Sequence, residues 1–350
     1  MIKKQGYAGC EGIPAFRQNG LGMNPGKPMR AIVYHSYGSP DVLKCEEIGK
    51  PIVGDSDILI KVHAVSINPY DWHFMRGTPY VIRLTAGLRK PKITRLGVDM
   101  AGKVEAVGRN VTQFKPGDEV FGTCDGAFAE YVCTSESALV IKPDNVSFEE
   151  AASVPIAAFT ALQGLRDKGQ IQPGQKVLIN GAAGGVGTFA VQIAKLFGAD
   201  VTGICSTRNL EMVRSIGADQ VIDYTQENFT ASRQRYDLIL DAVGNHSLAA
   251  CRRVLVPKGT YVIVGGPAGR WIRPFDRGIR ALMLSCFVSQ NFVIFIAKRN
   301  KDDLTIMHEF IKARKVTPVI DRRYRLSEIA EGIRYLEEGH ARGKVVITLE

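Results

Sequence analysis

One stretch restricts what this chain can become more than any other. Val177, Leu178 and Ile179 form an unbroken apolar run, Gly181, Gly184, Gly185 and Gly187 cluster next, and Val186, Ala190, Ile193 and Ala194 then recur at helical spacing. A continuous apolar run suits a strand of a parallel sheet, buried on both faces. The glycines remove side chains where the backbone turns sharply and where a ligand comes close. Strand, tight turn and helix are therefore predicted, with helix N-terminal amides converging on a point that suits a pyrophosphate. The spacing is G-x-x-G-x-x-G, and Ala182 stands where a strict G-x-G-x-x-G has its first glycine. A glycine triplet alone also fits an ordinary turn. Here a second strand, Val201 to Cys205, follows one helix later, and that context points to a dinucleotide site at Gly184, Gly185, Val186 and Gly187.

With 350 residues, 45% of them hydrophobic, the chain has room for two domains. Its net charge of +10 fits a solvated basic surface, or attraction to anionic ligands such as a phosphorylated cofactor, to membranes or to nucleic acid. No run of five like charges exists, so no nucleic-acid tail is expected. The seven cysteines are odd in number and contain no C-x-x-C, which fits neither a disulfide framework nor a structural zinc site. A reducing cytoplasmic compartment is expected. Residues 1–28 read as a loose N-terminal extension without the apolar core of a signal peptide. The apolar stretch Ala281 to Ala297 is too short and too interrupted for a membrane span, and reads as a buried strand or helix at a subunit contact.

Short β-branched or aromatic runs at 30–35, 57–67, 102–107, 119–122 and 127–132 suit a partly closed β-barrel. Ser147 with Glu150 forms a capping box that opens a helix at Phe148. Strands at 176–180, 201–205, 220–222, 237–240 and 260–264 then alternate with helices at 186–198, 209–217 and 247–255. Alternation of this kind argues for right-handed crossovers and a parallel sheet, an α/β fold. A helix at 326–338 precedes a last strand at 344–349, which is expected to return to the N-terminal domain.

Sites for NAD usually carry an acid about 20 residues after the glycines, on the ribose hydroxyls. Here that place is Cys205, followed by Ser206, Thr207, Arg208 and Asn209, with no carboxylate. Arg208 can pair with a 2′-phosphate and Ser206 can donate to it, so NADPH is expected over NADH. Ser206 and Asn209 also suit helix capping.

Met29 to Tyr34, Gly38-Ser39-Pro40, Asn68-Pro69-Tyr70-Asp71, Gly97-Val98-Asp99, Lys115 to Val120 and Gly181 to Gly187 occur in this order. Together they resemble the medium-chain dehydrogenase/reductase superfamily over nearly all of the chain after residue 28. With Gly339 to Val346, the chain resembles its zinc-free quinone oxidoreductase branch, which includes zeta-crystallin-like proteins and plant chloroplast envelope homologues. The resemblance implies a GroES-like β-barrel catalytic domain (29–152 plus 318–350), a Rossmann NADP-binding domain (153–317), a cofactor in the cleft between them, and a homodimer. It also places Thr160 beneath the nicotinamide and Tyr224 near the 2′-phosphate. Val243, Gly265 and Gly266 follow strands, at the carboxyl ends where such sheets bind ligands, with plain loop glycine as the alternative, and Lys344 is assigned to the cofactor side with them. The zinc enzymes of the superfamily carry a cysteine near Asn68 and a Gly-His-Glu run where Gly97-Val98-Asp99 stands here. His63, His73, Asp99 and Cys124 match no zinc spacing, so no metal is expected.

Without a Lewis acid the substrate must already be electrophilic, as a quinone or an α,β-unsaturated carbonyl is. Asn68 is expected to orient the ring or the substrate oxygen, or else to be a capping or turn asparagine that precedes Pro69. Asp71 either organises its loop or touches substrate. His73 and Tyr80 are candidate proton donors, with structural roles as the alternative. Tyr80 precedes a basic insertion, Val81 to Arg95, placed to cover the site. Arg270, Arg273, Arg277 and Arg280 suit a solvated face, or a lipid surface beside the 281–297 stretch. The expected function is an NADPH-dependent, zinc-independent reductase of quinones or enones. The competing readings are an alcohol dehydrogenase with unusual zinc ligands, and a cofactor-binding adaptor for RNA or membranes.

Overall fold

The computed structural model of the protein describes residues 27–266, 275–285 and 287–349. Arg270 and Arg273 lie outside the described residues.

The eleven-residue strand Asp57–Ile67 is the backbone of the first sheet. Its Ile58, Ile60, Val62, Val65 and Ile67 are β-branched and buried, as a strand covered on both faces requires. The sheet runs Ile320–Arg325, Lys344–Thr348, Asp57–Ile67, Asp99–Val107, Glu119–Thr123, Leu139–Ile141, and Tyr131–Ser135 also pairs with Asp57–Ile67. Pro28–Val33 and Lys44–Gly49 form a separate two-stranded ladder. The strand expected at 127–132 starts later, at Tyr131. Ala127 and Phe128 instead hydrogen-bond to Gly97 and Leu96, and Ala129 bridges to Ala31. Alanine has little strand preference, and this apolar trio is buried in the core instead.

Two helices, Phe148–Ala152 and Pro155–Gln163, lead into the second sheet. Ser147 and Glu150 cap the first of them reciprocally. Phe159 and Phe189 are about 1% exposed or less, and their burial contributes about 1.5–3 kcal/mol each. They join Ala64, Phe121 and Val346 of the first sheet to Val177 and Leu240 of the second in one apolar core.

The second sheet is parallel throughout, in the order Gln220–Asp223, Asp200–Cys205, Lys176–Asn180, Tyr236–Asp241, Leu255–Ile263, Asn291–Ile294. The chain builds outward from Lys176–Asn180 in one direction and then crosses to build in the other. That reversal opens a crevice at the carboxyl end of Lys176–Asn180, where the glycines lie. The 281–297 stretch is the end of the helix Phe275–Ser285 followed by the edge strand Asn291–Ile294. Among the described residues no helix is long and apolar enough to cross a membrane.

The last strand, Lys344–Thr348, pairs with Asp57–Ile67 antiparallel, Val345 opposite Ile67. Residues near the end of the chain thereby sit beside Asn68.

Candidate active site

The glycine turn has the geometry a pyrophosphate needs. Gly181 has φ +87°, and the helix Gly185–Leu196 starts at Gly184 with no side-chain cap. Its first bond runs from the Thr188 amide to the Gly184 carbonyl, and the Gly184 amide is taken by the Gly181 carbonyl at 3.0 Å, so the amides of Gly185, Val186 and Gly187 are left for a ligand. A Cβ on Gly187 would lie 2.0 Å from the Gly181 carbonyl oxygen, whereas one on Gly184 would meet nothing closer than 3.4 Å. Gly187 thus permits helix and turn to pack, and Gly184 has room beside it, whereas Gly185 is covered by the Lys344 stem. Val243 folds over the turn: a Cβ on Gly181 would lie 2.7 Å from its Cγ2.

The closing segment of the chain crosses this turn. The Gly343 amide donates to the Ala183 carbonyl at 2.8 Å, and Gly184 and Gly343 form a bridge. Arg208 donates to the His340 carbonyl at 2.6 Å. Arg342, which sequence reasoning passed over, is half exposed beside them.

Lys344 connects the turn to the loop that carries Asn68. Its stem lies beside Gly185, and its ammonium, buried to 3% exposure, donates to Asn68 Oδ1 at 2.6 Å and lies 3.7 Å from Asp99. Asp99 accepts from Ser66 Oγ and Asn68 Nδ2, both at 2.9 Å, and from the Ile156 amide at 3.0 Å. Burial pushes the Asp99 carboxyl up and the Lys344 ammonium down, and the attraction between them opposes both shifts. Ser66 and Asp99 were also missed as site residues. Their signal was present: an acid between Val98 and Met100, in a strand otherwise apolar at that end.

Asn68 is held on both sides of its amide. It lies where Asp57–Ile67 ends and Pro69–Arg76 begins, because proline lacks an N–H yet fits the first helical position. Asp71 uses one oxygen for the Asn68 amide at 2.8 Å and the other for the Gly97 amide at 2.9 Å. It is fully buried, and burial raises its carboxyl to about 7. It organises the loop. His73 Nδ1 faces the Thr78 carbonyl at 2.7 Å, so Nδ1 carries the proton and Nε2 is an acceptor. Burial lowers its pKa below the usual histidine range, and the ring stacks on Trp72. A neutral imidazole of that tautomer offers no proton from Nε2. Tyr80 is 36% exposed, with the Arg83 guanidinium over its ring.

Thr160 sits on the helix Pro155–Gln163 and returns its hydroxyl to the Ile156 carbonyl. Ile156 also reaches Asp99, so this helix is tied to the same network. At the second strand, Ser206 accepts from Asn209 Nδ2 at 3.2 Å, and the Tyr224 amide donates to the Cys205 carbonyl. Tyr224 is 49% exposed there. The expectation that no carboxylate stands at this place needs correction. Asp223, opposite Cys205 on the neighbouring strand, brings one. Its oxygens accept from the hydroxyls of Thr207 and Thr225 and from the Thr225 amide, and these bonds, Thr207 first, hold it below the usual range. Reading along the chain could not find it, because register across the sheet puts it there.

Asp241 anchors the third wall. It accepts from the amides of Val243 and Gly244, and from Asn180 Nδ2 at 2.7 Å. Tyr261 and Arg277 reach it from behind. Gly265 packs where a Cβ would lie 2.2 Å from the Ala242 carbonyl oxygen, and Gly266 follows it. Arg277 also bonds the His246 carbonyl, so it faces inward rather than forming part of a solvated or lipid-facing row.

Among the described residues no three His, Cys, Asp or Glu side chains are grouped to hold a metal ion. His63 is stacked on Phe148 at 4.5 Å. The open glycine turn, the uncapped helix start and the strand-end loops fit a dinucleotide.

Comparison with known proteins agrees with this architecture. Residues 54–144 match the family described as alcohol dehydrogenase GroES-like domain, and residues 216–347 the family described as zinc-binding dehydrogenase. A 2-methylene-furan-3-one reductase from Solanum lycopersicum is 35% identical over 91% of this chain and 79% of that protein. A chloroplastic NADPH-dependent alkenal/one oxidoreductase from Arabidopsis thaliana is 35% identical over 92% of this chain and 80% of that protein. The quinone oxidoreductase from Coxiella burnetii superposes with a TM-score of 0.83 at 32% identity, over 93% of this chain and 100% of that one. The chain belongs to the medium-chain dehydrogenase/reductase superfamily, in its quinone oxidoreductase-like branch.

Proposed function

We propose that this protein is an NADPH-dependent, zinc-independent oxidoreductase that reduces quinones or the activated double bond of α,β-unsaturated carbonyls. The observation that carries this reading is Lys344, whose stem lines the glycine turn and whose ammonium holds Asn68. One side chain thus ties the dinucleotide turn to the loop beside the reacting atoms. Relatives named as NADPH-dependent alkenal/one oxidoreductase and quinone oxidoreductase support the reaction class.

A reduced nicotinamide bound in this cleft would supply hydride to an electrophilic carbon. Gly184, Gly185, Val186 and Gly187 would hold the pyrophosphate, Val243, Gly265 and Gly266 the strand-end side, and Thr160 the face opposite Asn68. Arg208, Tyr224 and Ser206 would hold a 2′-phosphate. Asp223 stands close by, but threonine donors occupy it, so it favours NADPH less strongly than an acid-free strand end would. The fixed amide of Asn68 orients the cleft around the acceptor oxygen. Tyr80 or solvent, rather than the neutral His73, supplies the proton that completes the reduction. An acceptor of this kind delocalises the charge it gains and needs no metal.

We also infer a homodimer and a cytosolic location. Among the described residues the edge strand Asn291–Ile294 has one neighbour, and Ile279, Met283 and Phe287 beside it are 57%, 56% and 87% exposed. Light scattering that gives a monomer, or recovery of the native protein from organelles, would overturn these two inferences in turn. The reaction is tested by initial rates of NADPH and NADH oxidation against quinones and enones with EDTA present. Turnover that prefers NADPH is expected. Activity that EDTA abolishes and zinc restores would overturn the reading.

A further inference from the structure

The basic insertion between Val81 and Arg95 forms part of the wall of a cavity of about 590 Å³. Its lining includes Thr123, Cys124 and Phe159, all 3% exposed or less. Thr123 is the register partner of Asp99, and Phe159 precedes Thr160. The cavity therefore lies beside the network that holds Asn68. Lys92 and Arg95 also line it, with hydroxyls that include Thr94, Thr134 and Ser135.

Charge in this cavity is unevenly neutralised. Arg299 is paired with Asp125 at 2.9 Å, and its field reaches both the Tyr70 phenol and the Cys124 thiol. It thus stands at the junction of the cavity and the loop that carries Asn68. Arg95 acts on Cys124 and Cys133, and one further carboxylate of the wall, Asp57, acts on Cys133, so the lining holds three cations against two acids. Neither Arg95 nor Lys92 makes an ion pair with a carboxylate among the described residues. A cavity built for a lipophilic quinone tail would not be walled by two unpaired cations and a row of hydroxyls.

We propose that this cavity takes the distal end of the acceptor and that Arg95, assisted by Lys92, binds a carboxylate there, so that the preferred substrates are enones bearing a carboxylate. The inference rests on the reductase reading above. Arg95 offers a planar fork that matches a carboxylate bidentately, whereas Lys92 adds a point charge.

The test uses a medium-chain enone with a terminal carboxylate and its methyl ester, in two measurements. The first is kcat/KM for each acceptor with NADPH. The second is calorimetric binding of the corresponding saturated acid and ester to the NADP-loaded protein. The acid is expected to exceed the ester by on the order of tenfold in both. Arg95→Gln should collapse that ratio, Lys92→Gln should reduce it, and added salt should reduce it in the native protein. Equal handling of acid and ester by the native protein would overturn the inference and leave the reductase reading intact. A ratio unchanged in Arg95→Gln would overturn the role of Arg95. Selective, Arg95-dependent binding of the saturated acid without turnover of either enone would uphold the carboxylate site and overturn the reductase reading.

Discussion

Replacing Lys344 with methionine tests the link between the two halves of the cleft. Methionine keeps the length and apolar stem of lysine and removes its charge, so the contact beside Gly185 is retained. Breaking a buried pair by removing one partner costs about 3–5 kcal/mol. Asp99 keeps three donors, from Ser66, Asn68 and Ile156, which places the loss at the low end, about 3 kcal/mol. Asn68 Oδ1 loses its donor at 2.6 Å and its amide is freed to turn. The assay is equilibrium denaturation followed by intrinsic fluorescence, with kcat/KM measured alongside. Asp99→Asn removes the buried carboxylate, so the double variant should recover about 2 kcal/mol relative to the sum of the singles. Additive losses, or a loss below about 0.5 kcal/mol in Lys344→Met, would refute the argument that this pair is the structural hinge pin of the site.

Other outcomes follow from the same geometry. Asp71 has a folded pKa raised to about 7 by burial, so the native state binds more protons than the unfolded chain between pH ~4 and ~7. Its contribution is full below the unfolded value and is lost as pH rises through that window; stability measured against pH should therefore be flatter there in Asp71→Asn. Gly187→Ala forces a Cβ against the Gly181 carbonyl and should abolish NADPH binding and lower stability, whereas Gly184→Ala should retain the native circular dichroism spectrum. Arg208→Ala should weaken NADPH binding by about tenfold while changing NADH binding little, read by fluorescence titration; equal losses for both would remove Arg208 from the 2′-phosphate site.

What could be read along the chain depended on whether the cause was local. The strands Asp57–Ile67 and Lys176–Asn180 carry their own apolar signal, and Ser147 with Glu150 carries its own cap. The glycine turn was legible because φ at Gly181 and the close approach at Gly187 require glycine in place. The helices Pro69–Arg76 and Lys301–Lys312 were not anticipated as elements. The first is short and mixed in polarity, and its position is fixed by Pro69 and by what Asp71 bonds. Asp223 beside Cys205 and Lys344 beside Asn68 are products of register across sheets, the second pair 276 residues apart. Asn68 and Asp71 were chosen by resemblance. The packing explains why those residue types stand there: an amide that accepts from an ammonium while donating to a carboxylate, and a carboxylate shared by two backbone amides.

The route of Lys344–Thr348 has a consequence for how the protein is made. Asp57–Ile67 and the glycine turn leave the ribosome long before the strand that lies against both. Until residue 348 has emerged, the first sheet lacks a central member and Asn68 lacks its ammonium. Nascent chains therefore pass through synthesis with a nucleotide-binding half able to form and a reaction centre still incomplete. Hydride chemistry begins only when the polypeptide has closed on itself.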